Sequence, residues 1–170
     1  MSCSQTLAGL ARDCSPNIGG IKRVLLANTS DVSALTVTTG VVSAITMDTG
    51  KKFKAYNFNP QTSSLSSNYT VDQANNIKFV ESDLVLVFAK MNTTARLEIA
   101  ALAQADLYAI VEDNNGTFWL LGYDEPVGIS AGDGLTGTQR TDRNGYSITL
   151  HDVSKELPME VSSSIIEGIL

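Results

Sequence analysis

Acid–base chemistry in this chain would have to involve His151, because it is the only histidine in 170 residues. His151 stands next to Asp152, and a histidine oriented by a carboxylate is the base of a Ser-His-Asp site. The chain offers many serines, and we expect no Gly-x-Ser-x-Gly elbow that would select one of them as a nucleophile. We therefore expect His151 to be a surface residue on a strand and predict no catalytic residues.

A second candidate for chemistry is the segment Gly132-Asp133-Gly134-Leu135-Thr136-Gly137, which fits the pattern GxGxxG. That pattern binds a dinucleotide when it lies between a buried strand and a helix whose first N–H groups meet the pyrophosphate. Here the following residues predict another strand and no helix. The segment is therefore predicted to be a mobile or interface loop, with no cofactor.

Metal binding would need acids or thiols at suitable spacings, and neither set fits. Asp124, Glu125, Asp133 and Asp142 lack the alternation of an EF-hand and are predicted to be solvated acids on a long loop. The two cysteines, Cys3 and Cys14, do not form a zinc motif. We expect two free thiols and no metal site, although a disulfide between them remains geometrically possible.

The charge balance narrows the class of partner. Twelve Lys and Arg stand against 18 Asp and Glu, which gives a net charge of −6, and only 18% of residues are charged. A protein that grips nucleic acid through a basic face is therefore disfavoured. A surface rich in Ser, Thr and Asn suits a chain that packs against its own copies, because neutral polar groups cost less to bury than charges. Extracellular repeats would have a similar composition.

Targeting signals are not evident in the sequence. The first fifteen residues have no basic region followed by an apolar run, so they predict no signal peptide. The longest apolar runs, such as 84–89, are far shorter than the roughly 20 residues that cross a bilayer. We expect a soluble protein with no membrane partner.

The elements that must position these residues are mostly strands. Residues 1–20 predict an extended N-terminal arm, 21–161 a single domain and 162–170 a C-terminal tail. Val- and Ile-rich runs, such as 41–47, predict eight to ten strands. One amphipathic helix is predicted over about 94–105, with N-cap candidates in Asn92–Thr94 and an apolar stripe of Ala95, Ile99, Leu102 and Ala103. The fold class is therefore mainly β (α+β), an antiparallel β-barrel or two-sheet sandwich flanked by one α-helix.

Particular strands carry further expectations. Asn115-Gly116 predicts a tight hairpin, with Phe118 and Trp119 beside it in the core rather than on a ligand platform. In 77–89, Leu84, Leu86 and Phe88 alternate with apolar residues of the opposite face. That strand is predicted to be covered on both sides.

This order of elements resembles the tail tube proteins of long-tailed bacteriophages and related injection machines, over about residues 20–161. The resemblance rests on the β-rich first half, the helix 94–105, the hairpin through Asp113–Gly116, the glycine-rich loop and the closing strand after Thr141–Tyr146. It implies hexameric rings that stack into a hollow tube, with lumen strands expected at 51–71 and 77–89.

The resemblance also implies partners and a location. They are further copies of the chain, the tape-measure and terminator proteins of the tail, and DNA that passes without specific binding, in a virion tail assembled in the bacterial cytoplasm. Lys51, Lys52 and Lys54 are unexpected on a lumen strand, so they are assigned to a contact between rings. The alternatives are another virion component (tail terminator, connector or capsid decoration protein), a ligand-binding β module, or an enzyme.

Overall fold

The computed structural model describes residues 6–170, which form a two-sheet β sandwich with two short helices. The described strands do not close into a barrel. The strands are β1 Ile21–Asn28, β2 Val32–Thr38, β3 Val41–Met47, β4 Lys54–Asn57, β5 Ser64–Asp72, β6 Ile77–Ala89, β7 Leu107–Asp113, β8 Phe118–Leu121, β9 Gly128–Leu135, β10 Gly145–Ser154 and β11 Met159–Val161. The helices are α1 Thr93–Leu102 and α2 Ile166–Ile169, and 3-10 turns occupy Thr29–Asp31 and Ser163–Ile165.

The two sheets differ in size. The larger has seven strands in the order β2-β3-β11-β8-β7-β1-β4, and the smaller has four in the order β5-β6-β10-β9. All pairings are antiparallel except that of β11 with β3. Bulges interrupt β1, β2, β3 and β9, where one strand carries an extra residue relative to its partner.

The space between the sheets holds the main core. Every second residue of β6 and β10 points into it, and Leu84, Ile148 and Leu150 are buried. They meet Val24 and Val111 from the facing sheet. Alternation along the strands predicts this face, since successive side chains point to opposite sides of a sheet.

The other face of the seven-stranded sheet carries a second core. Leu25, Ile110 and Leu120 pack there with residues of the β2–β3 hairpin. The C-terminal segment closes this core, because Ile166 and Ile169 of α2 are both buried in it. The segment 162–170, predicted as a short tail, therefore completes the packing of the large sheet.

Helix α1 covers one end of the space between the sheets. The Asn92 side chain accepts a hydrogen bond from the backbone N of Ala95 at 2.7 Å and so caps the helix as the sequence predicts. Leu102 is buried and Ile99 packs against the main core, whereas Ala103, expected on the same apolar stripe, is exposed. Leu97 points outward and is 56% exposed.

Several local predictions need correction, beginning with the number of strands, which is eleven in residues 6–170 rather than eight to ten. The glycine-rich stretch around the GxGxxG segment, predicted to be a loop, contains strand β9, which pairs with β10 along its length. A second helix, α2, follows the last strand. The segment 51–71, expected to line a lumen, contributes to both sheets, because β4 begins at Lys54 in the large sheet and β5 belongs to the small one.

The Asn115-Gly116 hairpin is confirmed between β7 and β8. Gly116 has a φ of +84°, a conformation that glycine adopts at low cost. The Asp113 side chain accepts hydrogen bonds from the backbone N of Asn115 and of Thr117, at 2.8 and 2.9 Å, and so fixes the turn.

None of the helices in residues 6–170 has the length and apolar character needed to span a bilayer.

Candidate assembly and channel surface

The most distinctive surface is the side of the four-stranded sheet that faces away from the core, here called the outer face. The strand register places on it Ser64, Ser66, Asn68 and Thr70 of β5, Phe79, Glu81, Asp83, Val85 and Val87 of β6, Ser147, Thr149, His151 and Val153 of β10, and Ala131, Asp133 and Leu135 of β9. It combines short hydroxyl and amide side chains with a central apolar row.

The apolar row corrects the prediction that β6 is covered on both sides. Leu84 and Leu86 are buried, but Val85 and Val87 on the outer face are only partly buried. Nothing in residues 6–170 packs over them as a third layer. The predicted alternation of two apolar sets is present, but the second set, Val85 and Val87, faces outward.

Positive charge is nearly missing from the strands of this sheet. They carry five acidic residues and one lysine. That lysine, Lys78, lies on the inward phase, with its Nζ 5.4 Å from the centre of the Tyr69 ring. On the outer face, Asp133 Oδ1 is 2.9 Å from an Nη atom of Arg143, whereas Glu81 and Asp83 of β6 add negative charge elsewhere on the face. The face is therefore neutral to acidic.

Both edges of the small sheet are open. Among the described strands, β5 pairs only with β6 and β9 pairs only with β10. Neither β5 nor β9 contains Pro, Lys or Arg, the residues that commonly prevent a sheet edge from pairing with another chain. Because all three pairings in the sheet are antiparallel, β5 and β9 run in opposite directions.

His151 also lies on the outer face, but its partner is not the one that the sequence suggested. Its Nδ1 atom is 2.8 Å from Oδ1 of Asp83, the residue directly opposite on β6. The neighbouring Asp152 points inward, where its side chain is buried and accepts a hydrogen bond from the backbone N of Gly122 at 3.0 Å. Burial raises the pKa of Asp152, and the hydrogen bond from Gly122 opposes this shift. Adjacent strand residues face opposite sides, so a His151–Asp152 pair is sterically excluded.

The prediction that the sequence holds no Gly-x-Ser-x-Gly pattern is wrong, because the pattern is present around Ser130. Gly128–Gly132 spells Gly-x-Ser-x-Gly around Ser130, on the strand beside His151. In hydrolases this pattern forms a sharp turn between a strand and a helix. Here Ser130 sits at a bulge within β9, and its hydroxyl donates to the Thr149 carbonyl at 3.3 Å instead of to His151. Ser130, His151 and Asp83 share a sheet without forming a hydrogen-bonded triad.

The glycines of the GxGxxG segment allow close packing within the small sheet and a tight turn after β9. A Cβ on Gly134 would come within 3.1 Å of the Tyr146 ring, so the glycine lets that ring lie against the strand. Gly137 has a φ of +70° and begins a turn in which Asp142 accepts from the backbone N of Thr138 and of Gln139, both at 2.8 Å. These hydrogen bonds lower the pKa of Asp142. A strand, β10, follows this turn, so the geometry of a dinucleotide site does not form.

The remaining candidates for chemistry lie apart from one another. Asp124 accepts from the backbone N of Lys155 at 2.8 Å, whereas Asp133 pairs with Arg143 and Asp142 accepts from the turn after β9. In residues 6–170, no group of three or more acidic, histidine or cysteine side chains is placed to hold a metal. Cys14 is exposed on the arm, and Cys3 lies outside the described residues, so their pairing stays untested.

Trp119 and Phe118 are core residues, as predicted. Phe118 is buried in the second core, whereas Trp119 packs against the first and donates from Nε1 to Asp113 at 3.1 Å.

The three lysines of 51–54 do not lie on the outer face. Lys51 pairs with Asp31 at 3.1 Å, and Lys52 contacts the Leu170 carbonyl near the C-terminal segment.

The root of the N-terminal arm is fixed to the β7–β8 turn. The Asn115 side chain accepts from the backbone N of Ile18 at 2.9 Å, and that of Asn114 donates to the Gly19 carbonyl at 2.8 Å. Just beyond, Glu112 is buried and bonded by both Lys22, at 2.9 Å, and Arg23. Burial acts to raise the pKa of Glu112, but the two cationic partners outweigh it and hold the pKa below its usual value.

Comparison of the chain with protein-family models, with curated proteins and with solved structures found no match.

Proposed function

We propose that this chain is a structural virion protein, a phage tail tube subunit that assembles into stacked, hexameric rings around a channel for DNA. The observation that carries the proposal is the four-stranded sheet, which has two open edges and an outer face almost free of positive charge. An open sheet edge is a template for pairing with another chain.

The direction of the edge strands supports a ring. Rotation about an axis along the strands preserves each strand's direction, so β9 of one copy would meet β5 of the next copy in the antiparallel sense already used within the sheet. Such a head-to-tail contact uses two different surfaces and closes into a ring when the rotation allows it. The joined sheets would form one continuous wall.

The charge of the outer face supports its assignment to the channel. Non-specific affinity of a protein for DNA comes mainly from Lys and Arg side chains that neutralise phosphates. A face that carries Glu81 and Asp83 among its Ser and Thr residues, and whose strands point no Lys or Arg outward, would repel the DNA backbone weakly. Its hydroxyl and amide side chains would then allow DNA to slide. The partners of the tube would be the tape-measure and terminator proteins of a tail assembled in the host cytoplasm.

Electron microscopy of the purified protein tests the proposal. Long hollow tubes are expected. A single ring or a trimer bound to capsids would favour another virion component, such as a terminator, connector or decoration protein. A monodisperse monomer at high concentration would contradict both assignments.

A pair of proline variants tests the edge contact. Successive N–H groups of β5 point alternately to β6 and to the open edge, so Ser66→Pro and Ser67→Pro remove donors from opposite sides. The variant that keeps the wild-type melting temperature is expected to lose tube formation. Tubes formed by that variant would show that β5 does not pair with a neighbour.

A further inference from the structure

A groove lies between strand β4, the end of β6 and helix α1. Three aromatic rings form its floor, Tyr56, Phe58 and Phe88, with ring centres 6.2 Å apart for Tyr56–Phe88 and 5.5 Å apart for Phe58–Phe88. Ile99 and Leu102 of α1 supply an aliphatic wall, and the volume is about 630 Å³.

One side of the groove is an open strand edge. Strand β4 is the last strand of the large sheet and pairs only with β1 among the described strands. The hydroxyl of Tyr56 donates to Oε1 of Glu98 at 2.5 Å, which ties β4 to α1 across the groove. An extended peptide could therefore meet both unpaired backbone groups and an apolar floor, the combination used in β-strand addition.

The chain itself contains a segment with matching chemistry. The arm residues Leu7 and Leu10 are 90% and 103% exposed, the highest values among the large apolar side chains of residues 6–170. They lie in the uncharged run Thr6–Ala11, ahead of Arg12. Gly9, between them, has a φ of +74°, so the two leucines are not forced onto opposite sides as in a regular strand.

The root of the arm directs it away from the groove of its own copy. In the large sheet, β1 lies between β7 and β4. The arm enters β1 from the β7 side, where Asn114 and Asn115 hold Gly19 and Ile18. The groove lies on the β4 side.

We propose that the groove binds the N-terminal arm, residues 6–16, of a second copy of this chain, with Leu7 and Leu10 against the aromatic floor. The inference depends on the proposed function for its second copy, but it requires neither a channel nor DNA. At about 3.3 Å per residue the arm can reach roughly 36 Å from its root, far enough to cross to a neighbouring subunit. Each subunit would both give an arm and receive one.

Disulfide trapping tests this exchange. In a Cys3→Ser/Cys14→Ser parent, Leu10→Cys is placed in one chain and Ala95→Cys, on the groove wall, in another chain that carries a size tag. Oxidation of the mixture is expected to give a mixed dimer at least tenfold more abundant than with Ala44→Cys. Ala44 is the control because it is exposed on β3, near the opposite end of the large sheet.

A double variant separates exchange between copies from folding back. Leu10→Cys with Ala95→Cys in one chain is expected to give linked dimers and longer chains. A monomer that is closed on itself would overturn the proposal, and so would the lack of a mixed dimer in the first experiment. Tubes without the mixed dimer would contradict the arm contact alone, whereas mixed dimers from a protein that makes no tubes would support the arm contact and contradict the tube.

A second variant tests the same contact without introducing cysteines. Leu7→Ser with Leu10→Ser is expected to reduce association at least tenfold with an unchanged melting temperature, because both side chains are exposed in the single copy. Leu7→Met with Leu10→Met should retain association. Unaltered association of the serine variant would overturn the proposal.

Discussion

The Nδ1 atom of His151 and Oδ1 of Asp83 lie 2.8 Å apart at directly opposed positions of β10 and β6. The pair lies on a flat, partly exposed sheet face, and Ser130, on the next strand, directs its hydroxyl to the Thr149 carbonyl. A cross-strand polar pair of this kind contributes to strand pairing. His151 and Asp83 therefore form a cross-strand pair that supports the sheet, and Ser130 is not hydrogen-bonded to it.

His151→Ala tests this interpretation. Because both side chains are at least one-third exposed, we expect the free energy of unfolding to fall by less than about 1 kcal/mol. A fluorophosphonate probe, which labels activated serines, should not react with Ser130, and Ser130→Ala serves as the control. Labelling that requires both Ser130 and His151 would establish a hydrolytic site instead.

Glu112→Gln should lower stability at neutral pH by about 1.5–3 kcal/mol, the range for hydrogen bonds to charged groups. The native pKa of Glu112 lies below its unfolded value, so its contribution is present above the unfolded pKa and is lost as the pH falls through the native pKa. Urea unfolding at pH 7 and pH 3 measures the difference between wild type and variant. A difference that stays equal at both pH values would contradict this origin.

Asp152→Asn should stabilise the protein at pH 7. Burial raises the native pKa of Asp152, so ionisation destabilises the fold as the pH rises through that pKa, and stability is greatest below the unfolded value. An asparagine oxygen can still accept from the backbone N of Gly122. The melting temperature of the variant is expected to exceed that of wild type at pH 7 and to approach it near pH 3. A lower melting temperature at pH 7 would show that the charge itself is needed.

Leu84→Ala and Val85→Ala form a matched pair on adjacent positions of β6. Leu84 is fully buried between the sheets, so its truncation should cost about 2–5 kcal/mol. Val85 is partly exposed on the outer face, so its truncation should cost less than about 1 kcal/mol in the single copy. Denaturant unfolding below the concentration of assembly measures both. Equal losses would mean that the outer face is covered.

Thr149→Lys tests the channel assignment under the proposed function. Thr149 lies on the outer face of β10, and a lysine there would add a cation to a surface that has none on its strands. Tubes assembled with duplex DNA should then co-sediment with it at low salt and release it as the salt rises. Thr149→Glu is the control. DNA retained equally by wild type, Lys and Glu variants would argue against a DNA-facing surface.

Local patterns predicted much of this fold. The bounds of β3 and β6, the capped helix and the Asn115-Gly116 hairpin all depend on residues that are close in sequence. Strand β9 could not be predicted this way. Glycine and aspartate disfavour strands, and they make up four of its eight residues: Gly128, Gly132, Asp133 and Gly134. Only the pairing with β10 makes this segment a strand.

The candidate surface was predictable only in part. Alternation along 77–89 revealed two apolar sets, but which set faces the core depends on the position of the other sheet. The partner of His151 depends on the register of β10 with β6, which joins residues 68 positions apart in the chain. The order of strands, and therefore the two open edges, has no local signal.

The position of β11 has a consequence for synthesis of the chain. Its three residues separate β3 from β8, and they form the only strand pairing between the β2–β3 hairpin and the rest of the large sheet in the described structure. A ribosome makes β2 and β3 more than one hundred residues before β11. The hairpin must therefore wait, unpaired at one edge, until residues 159–161 emerge, and pairings of such long sequence separation form slowly. Completion of the fold is thus a late event in translation, which delays the appearance of subunits able to associate.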